Sequence, residues 1–216
     1  MAPPKFRLIY FDLQFRAEPI RLVLTQAGQP FKDERLEAAD WPQFKADNPE
    51  LVPFGYVPVL VLADNTVLSE SIAICRYLGK RYGMAGANDL EAAQLDAIAD
   101  SFRDLFDLFA SYFLNKLVKK DDDKAEECRQ KILEVADKKL PLFESILQSN
   151  NTGWFVGEKM TWVDIWLADA LDRYCADEGP LAGQLSGHPN LLAHIEKFKQ
   201  QHRIQKYLKN RVLRRC

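Results

Sequence analysis

The stretch that most constrains this chain is Phe54-Gly55-Tyr56-Val57-Pro58-Val59-Leu60, followed shortly by Ser69-Glu70-Ser71-Ile72-Ala73. A strand opening on Val-Pro lacks a ladder donor, which confines the proline to an edge, a bulge or the strand's first residue. With a cis Val57-Pro58 bond, the rarer isomer, the Val57 N–H and C=O face outward as a matched donor and acceptor for a short extended peptide. Ser69-Glu70-Ser71 stands where the next strand ends and an apolar helix (Ile72, Ile74, Cys75, Leu78) begins. Its hydroxyls and first N–H groups then face outward as an anion site. Together the two segments outline a slot for a small, negatively charged peptide. Each also has a purely structural reading, as a strand start and as a helix cap.

Around this slot the periodicities alternate. Phe6 to Tyr10 reads as a first strand. Pro19 falls in the first turn of an apolar-periodic helix (Ile20, Leu22, Val23, Ala27) that Gly28 closes, and Phe31 to Leu36 alternates as a second strand. Residues 6–36 are thus a β-α-β unit with parallel strands. Asp40-Trp41-Pro42 starts a short helix by cap and proline. Val57 to Leu62 and Thr66 to Leu68 flank an Asp64-Asn65 turn, and a helix follows from about Glu70 to Tyr82. Gly83 to Asn88 is the natural boundary.

Beyond it the pattern is helical throughout. Leu95, Ile98, Phe102, Leu105, Phe106, Phe109 and Phe113 form one aromatic stripe on a long helix, read chiefly as core packing. Lys119 to Lys124 is a solvated charged loop or helix end. Cys128 to Leu147 is a further helix, interrupted or bent near Pro141. Thr161-Trp162-Val163-Asp164 is a capping box with Met160 and Ile165 as its hydrophobic staple, His188-Pro189 begins one more helix, and Tyr207-Leu208-Lys209 belongs to the tail. The expected division is residues 1–82, a linker at 83–88, and an all-helical domain over 89–216.

A chain of 216 residues can bury a substantial core without staples. Its formal net charge of −2 gives no electrostatic footprint for nucleic acid or an anionic membrane. No apolar run approaches the roughly 18–20 residues that span a bilayer, and Met1 to Lys5 lacks the apolar core of a secretory signal, so a cytoplasmic location is expected. The four cysteines, Cys75, Cys128, Cys175 and Cys216, are scattered and without neighbouring histidines. They argue against a metal site or a disulfide framework and fit reduced thiols.

The order and spacing of several segments resemble a cytosolic glutathione transferase over essentially the whole chain. They are Tyr10-Phe11, Arg16 to Arg21, Ala39-Asp40-Trp41-Pro42, Pro53-Phe54-Gly55, Val57 to Leu60, Glu70 to Ile74 with Arg76-Tyr77-Leu78, and Gly157 with Thr161 to Asp164. Within that family Tyr10 and the Asp-Trp-Pro segment are most similar to the sigma class. The resemblance implies an α/β thioredoxin-like domain that binds glutathione, followed by an all-α domain. It further implies a homodimer that conjugates glutathione to hydrophobic electrophiles in detoxification. Glutathione is then a co-substrate, and neither cofactor nor metal is required.

Carried over residue by residue, the resemblance implies that Tyr10 steadies the glutathione thiolate; read from the residues alone, a tyrosine there caps the sheet edge. It implies that Val57, held by Pro58, pairs with the cysteinyl main chain, that Ser71 receives the glutamyl carboxylate and that Glu70 faces the glutamyl ammonium. Trp41 and Lys45 meet the glycyl end. Arg16 supports the site or forms an ordinary surface ion pair. Asp104, or Asp100 beside it, reaches the glutathione of a partner subunit. Leu13, Phe15, Phe106 and Tyr112 line the second-substrate pocket between the domains. Three positions depart from the family pattern: Tyr56 replaces a peptide-binding Gln or Lys, Glu70 replaces Gln, and Phe15 replaces a small Gly. The loop before Val57 is also longer than usual. A non-catalytic ligand carrier or crystallin of the same fold is the second reading. A thiol-disulfide enzyme is the third, although the loop from Phe11 to Phe15 lacks the cysteine it needs.

Overall fold

The computed structural model describes residues 5–176 and 179–211; Cys216 lies outside them. They form two compact units. The first holds the chain up to Tyr82 together with the segment from His202, and the second holds Gly83–Gln201.

In the first unit a four-stranded sheet has the order β2-β1-β3-β4, where β1 is Phe6–Phe11, β2 Lys32–Leu36, β3 Val59–Leu62 and β4 Val67–Ser69. β1 pairs in parallel with β2 and antiparallel with β3, as β3 does with β4. The parallel pair is the expected β-α-β unit, its crossover helix α1 being Glu18–Gln26 with Pro19 in its first turn. Leu8, Ile9, Val59 and Leu60 on the sheet and Ile20, Val23 and Leu24 on α1 are wholly buried, which is the area removed from water that holds the layers together. Gly28 closes α1 at φ 65°, where a side chain would be strained, and a Cβ there would lie 2.9 Å from the Arg203 guanidinium.

The helix α2 is Trp41–Asp47 and α3 is Ser71–Arg81. Asp40 precedes α2 as expected, but its side chain makes no capping bond. The helix α8, His202–Asn210, packs on α1. Arg203 donates to the Gln26 carbonyl at 2.8 Å, and Tyr207 and Arg211 donate to Glu18 at 3.2 and 3.0 Å. The sequence reading gave this tail to the helical domain; its polar bonds tie it to the first unit instead, a long-range link with no local signature.

The second unit contains α4, Asp89–Phe113, continued by a π-helical segment Leu114–Lys119, then α5, Asp122–Asn150, α6, Trp162–Tyr174, and α7, Pro189–Lys199. Residues 83–88, expected as a linker, are packed with this unit: Met84 and Ala85 are buried, and the Met84 carbonyl accepts from Trp162 N–H. The helix α5 runs uninterrupted through Pro141, which is exposed, so the carbonyl it leaves unpaired can meet water. The capping box is complete: Thr161 N–H and Oγ1 donate to Asp164 at 2.7 and 2.6 Å, and Phe155 N–H donates to its other oxygen at 2.9 Å. The aromatic stripe is core, with Phe102 and Phe106 edge-on to Trp166 at 5.2 and 5.3 Å.

Candidate functional site

Sheet register builds the site. The ladder pairs Ile9 with Val59 and Val59 with Ser69, and the next residues outward are Tyr10, Pro58 and Glu70. Three chain segments therefore converge at one end of the sheet. The Val57-Pro58 bond is cis, as the sequence reading required for an outward-facing Val57. The proline is not on an edge strand, since β3 lies between β1 and β4. It stands ahead of the first paired residue, Val59, where a missing N–H disturbs no ladder bond.

Around that end sit most of the expected residues of the first unit. Tyr10 is buried at 4% exposure, with its ring 5.6 Å from that of Phe11. The Phe11 ring meets Trp41 edge-on, also at 5.6 Å, and Trp41 stacks on Phe44. This aromatic row couples the start of α2 to the strand that carries Tyr10. Lys45, one turn further along α2, brings its ammonium across Gly55: a Cβ on that glycine would lie 3.3 Å from Nζ, and its φ of 76° also favours glycine. The sequence thus places a cation beside the backbone that leads into Val57.

The start of α3 differs from expectation in one respect. The cap residue is Glu70 rather than a serine, at φ 68°, and no side chain caps the helix. Ser71 is the first helical residue, while the Ser69 Oγ is buried rather than outward. The first N–H groups of α3 are thereby left to an outside acceptor, the arrangement that favours an anion. The Glu70 carboxylate accepts from the Tyr56 hydroxyl at 2.9 Å.

Other expected residues are placed differently. The Arg16 guanidinium carbon lies 5.4 Å from the centroid of the Phe15 ring. The arginine that organises this loop is Arg21, which the sequence reading passed over because it sits inside an apolar-periodic helix. It is wholly buried and donates to the Leu13 carbonyl at 2.8 Å, to Glu18 at 3.1 Å and to both oxygens of Asp33 at 3.1 Å. Leu13 and Phe15 belong to the first unit, Phe106 and Tyr112 to the second. Phe106, expected to line a pocket, is 2% exposed and is spent in the helical core. Asp104, expected to reach a partner subunit, meets Lys139 of its own chain at 3.3 Å, and Asp100 meets Arg103 at 2.9 Å. A cavity of about 630 Å³ in the second unit, lined by Gln94, Ile98, Ser145 and Phe155 among others, contains none of the expected residues.

Family models for the glutathione S-transferase N-terminal domain and C-terminal domain match residues 16–81 and 104–211. The chain belongs to the glutathione S-transferase family. It is similar to glutathione S-transferase 1 of Ascaris suum, with 35% identity covering 96% of this chain and 97% of that one. The crystal structure of the glutathione S-transferase from Ascaris lumbricoides superposes with a TM-score of 0.86 at 34% identity, covering 98% and 99% of the two chains. A glutathione S-transferase of the hookworm Necator americanus, described as monomeric, superposes with a TM-score of 0.87 at 28% identity, covering 98% and 99%. The fold expected from the sequence, a sheet-containing unit followed by a helical one, is the architecture of this family. Among the described residues no helix is long and apolar enough to cross a membrane.

Proposed function

We propose that this transferase conjugates the glutathione thiolate to hydrophobic electrophiles, with Tyr10 as the group that steadies the sulfur anion. The observation that carries the reading is the register that sets Tyr10 in line with cis-Pro58 and the uncapped start of α3. A peptide backbone paired with Val57 has its carboxyl-bearing end within reach of one helix terminus and its sulfur toward one phenol.

The energetics are sufficient. A thiol of pKa about 8.5 is only about 7% ionised near pH 7.4. Lowering that value by about 2 units takes about 2.7 kcal/mol, and a hydrogen bond to a charged group supplies about 1.5–3 kcal/mol. One aimed hydroxyl is enough, and it acts as a donor rather than as a permanent base. In this reading Val57 binds the cysteinyl backbone, Ser71 and the α3 terminus bind the glutamyl carboxylate, Glu70 meets its ammonium, and Trp41 and Lys45 meet the glycyl end. The sigma-class placement rests on Tyr10 with Asp40-Trp41-Pro42. A partner's Asp104 stays in the reading as the residue that reaches the glutathione: its pairing with Lys139 at 3.3 Å uses one oxygen of a carboxylate whose side chain is 69% exposed.

Two of the four cysteines, Cys75 and Cys175, are unsuited to thiol-disulfide chemistry. Burial pushes the Cys75 thiol far above its ordinary value and the Cys175 thiol up to about 12, so neither supplies a thiolate near neutral pH. The enzyme reading is separated from a ligand-carrying one by turnover. The wild-type protein is expected to be retained on immobilised glutathione and to conjugate a generic aryl halide, whereas Tyr10→Phe lowers kcat/KM about 10- to 100-fold at unchanged thermal stability. Equal turnover of the two proteins removes Tyr10 from the role.

A further inference from the structure

Tyr56 is 52% exposed, yet its hydroxyl has one fixed partner, Glu70 Oε1 at 2.9 Å. Glu70 is itself unusual, a non-glycine residue at φ 68° that leads into α3 without capping it. Backbone held in that region costs stability and persists where the surrounding structure fixes it, often beside a ligand site. The Glu70 side chain serves neither the helix cap nor any ion pair among the described residues; its bond is to Tyr56. The hydrogen bond to the carboxylate, followed by the charge itself, pushes the Tyr56 phenol above its ordinary value. It therefore remains a donor through neutral and mildly alkaline pH.

A carboxylate with one oxygen held by a hydroxyl populates fewer rotamers and offers its other oxygen in a preferred direction. That is an acceptor preorganised for a single compact cation. An exposed tyrosine whose hydroxyl is committed to a neighbouring carboxylate is better placed to orient that carboxylate than to bind the peptide itself.

We propose that Tyr56 is a positioning residue that sets the site's selectivity for a primary ammonium on the terminal residue of the bound peptide, acting through Glu70. The inference rests on the reading above, in which that peptide is glutathione.

The test is calorimetric titration of wild type, Tyr56→Phe, Glu70→Ala and the double variant. The two ligands are glutathione and glutaryl-cysteinylglycine, which lacks the ammonium and is otherwise the same. Tyr56→Phe is expected to weaken glutathione binding about threefold to tenfold and to leave binding of the des-amino peptide unchanged. It should have no further effect once Glu70→Ala is present. In turnover the loss should appear in KM for glutathione and not in kcat. Equal weakening of both ligands, additive losses in the double variant, or no weakening at all overturns the proposal while the transferase reading stands. Failure of the wild-type protein to bind glutathione overturns both.

Discussion

The Arg21 guanidinium donates to the Leu13 carbonyl at 2.8 Å, joining a wholly buried charge on α1 to the loop that follows Tyr10. The same side chain bridges Glu18 and Asp33, so one residue ties α1, β2 and the loop together. A buried cation is tolerable only with such partners, and removing it leaves the Glu18 carboxylate, 1% exposed, with Arg211 at 3.0 Å but without the second cation it now has. Arg21→Met is expected to cost about 3–5 kcal/mol in urea denaturation. Arg21→Lys keeps the charge but loses the fork that reaches three partners, and should lower kcat for conjugation more than it lowers stability, because the loop beside Tyr10 is released.

Glu144 on α5 caps α7 from outside, accepting from the N–H groups of Asn190 and Leu191 at 2.8 and 2.9 Å and from the Asn190 amide at 2.7 Å. Burial on its own raises the pKa of this carboxyl, but these bonds outweigh it and hold the value below normal. A depressed folded pKa gives stability that is present above the unfolded value, about 4.3, and lost as the pH falls through the folded value. Glu144→Ala should therefore cost about 0.5–2 kcal/mol near neutral pH. Chemical denaturation across pH should show the gap from wild type constant above about pH 5 and closing below about pH 4.

Much of this was legible in the sequence, for local reasons. The β-α-β unit, the Asp64-Asn65 turn and the Thr161–Asp164 box each depend on a few neighbouring residues whose chemistry admits one arrangement. The Val57-Pro58 pair was legible for the same reason, and the register around it then aligned Tyr10 and Glu70. What stayed hidden depends on closure in three dimensions. Arg21 reads as one polar residue in an apolar helix until Asp33 and Leu13 are brought to it. The packing of α8 on α1 spans 177 residues between Arg203 and Gln26, which no periodicity reports. Ser71 and Glu70 were one position out of role, since only the backbone angles distinguish a cap from a first turn. The sequence offered Tyr56 only as a residue at the peptide-binding position, because its bond to Glu70 crosses 14 residues.

Glu70 at φ 68° makes a prediction about stability that runs against affinity. Glycine adopts that conformation without the steric penalty that a side chain meets, so Glu70→Gly should relieve strain of about 1 kcal/mol. Its hydrogen bond from Tyr56 is exposed and offsets little of this. The expected outcome is a thermal midpoint a few degrees higher with binding of glutathione sharply weakened, measured by scanning calorimetry and titration on the same preparation. A lower midpoint with retained binding refutes the assignment of Glu70 as a strained, ligand-facing residue.

Phe106 separates core from pocket. Its ring is packed against Trp166 at 5.3 Å and Tyr174 at 6.3 Å, and only 2% of the residue is exposed. A residue lining an open substrate pocket can be shortened at small cost to folding, with the change felt in substrate range. One buried among aromatic rings leaves a cavity that the rings on either side cannot collapse to fill. Phe106→Ala is therefore expected to destabilise the chain by about 3–5 kcal/mol in urea. Tyr112→Ala, at a half-exposed position near the end of α4, should cost less than about 1.5 kcal/mol. If Phe106→Ala instead unfolds at the wild-type urea concentration and alters only the preference among aryl halides of different size, then the ring belongs to the substrate pocket and not to the helical core.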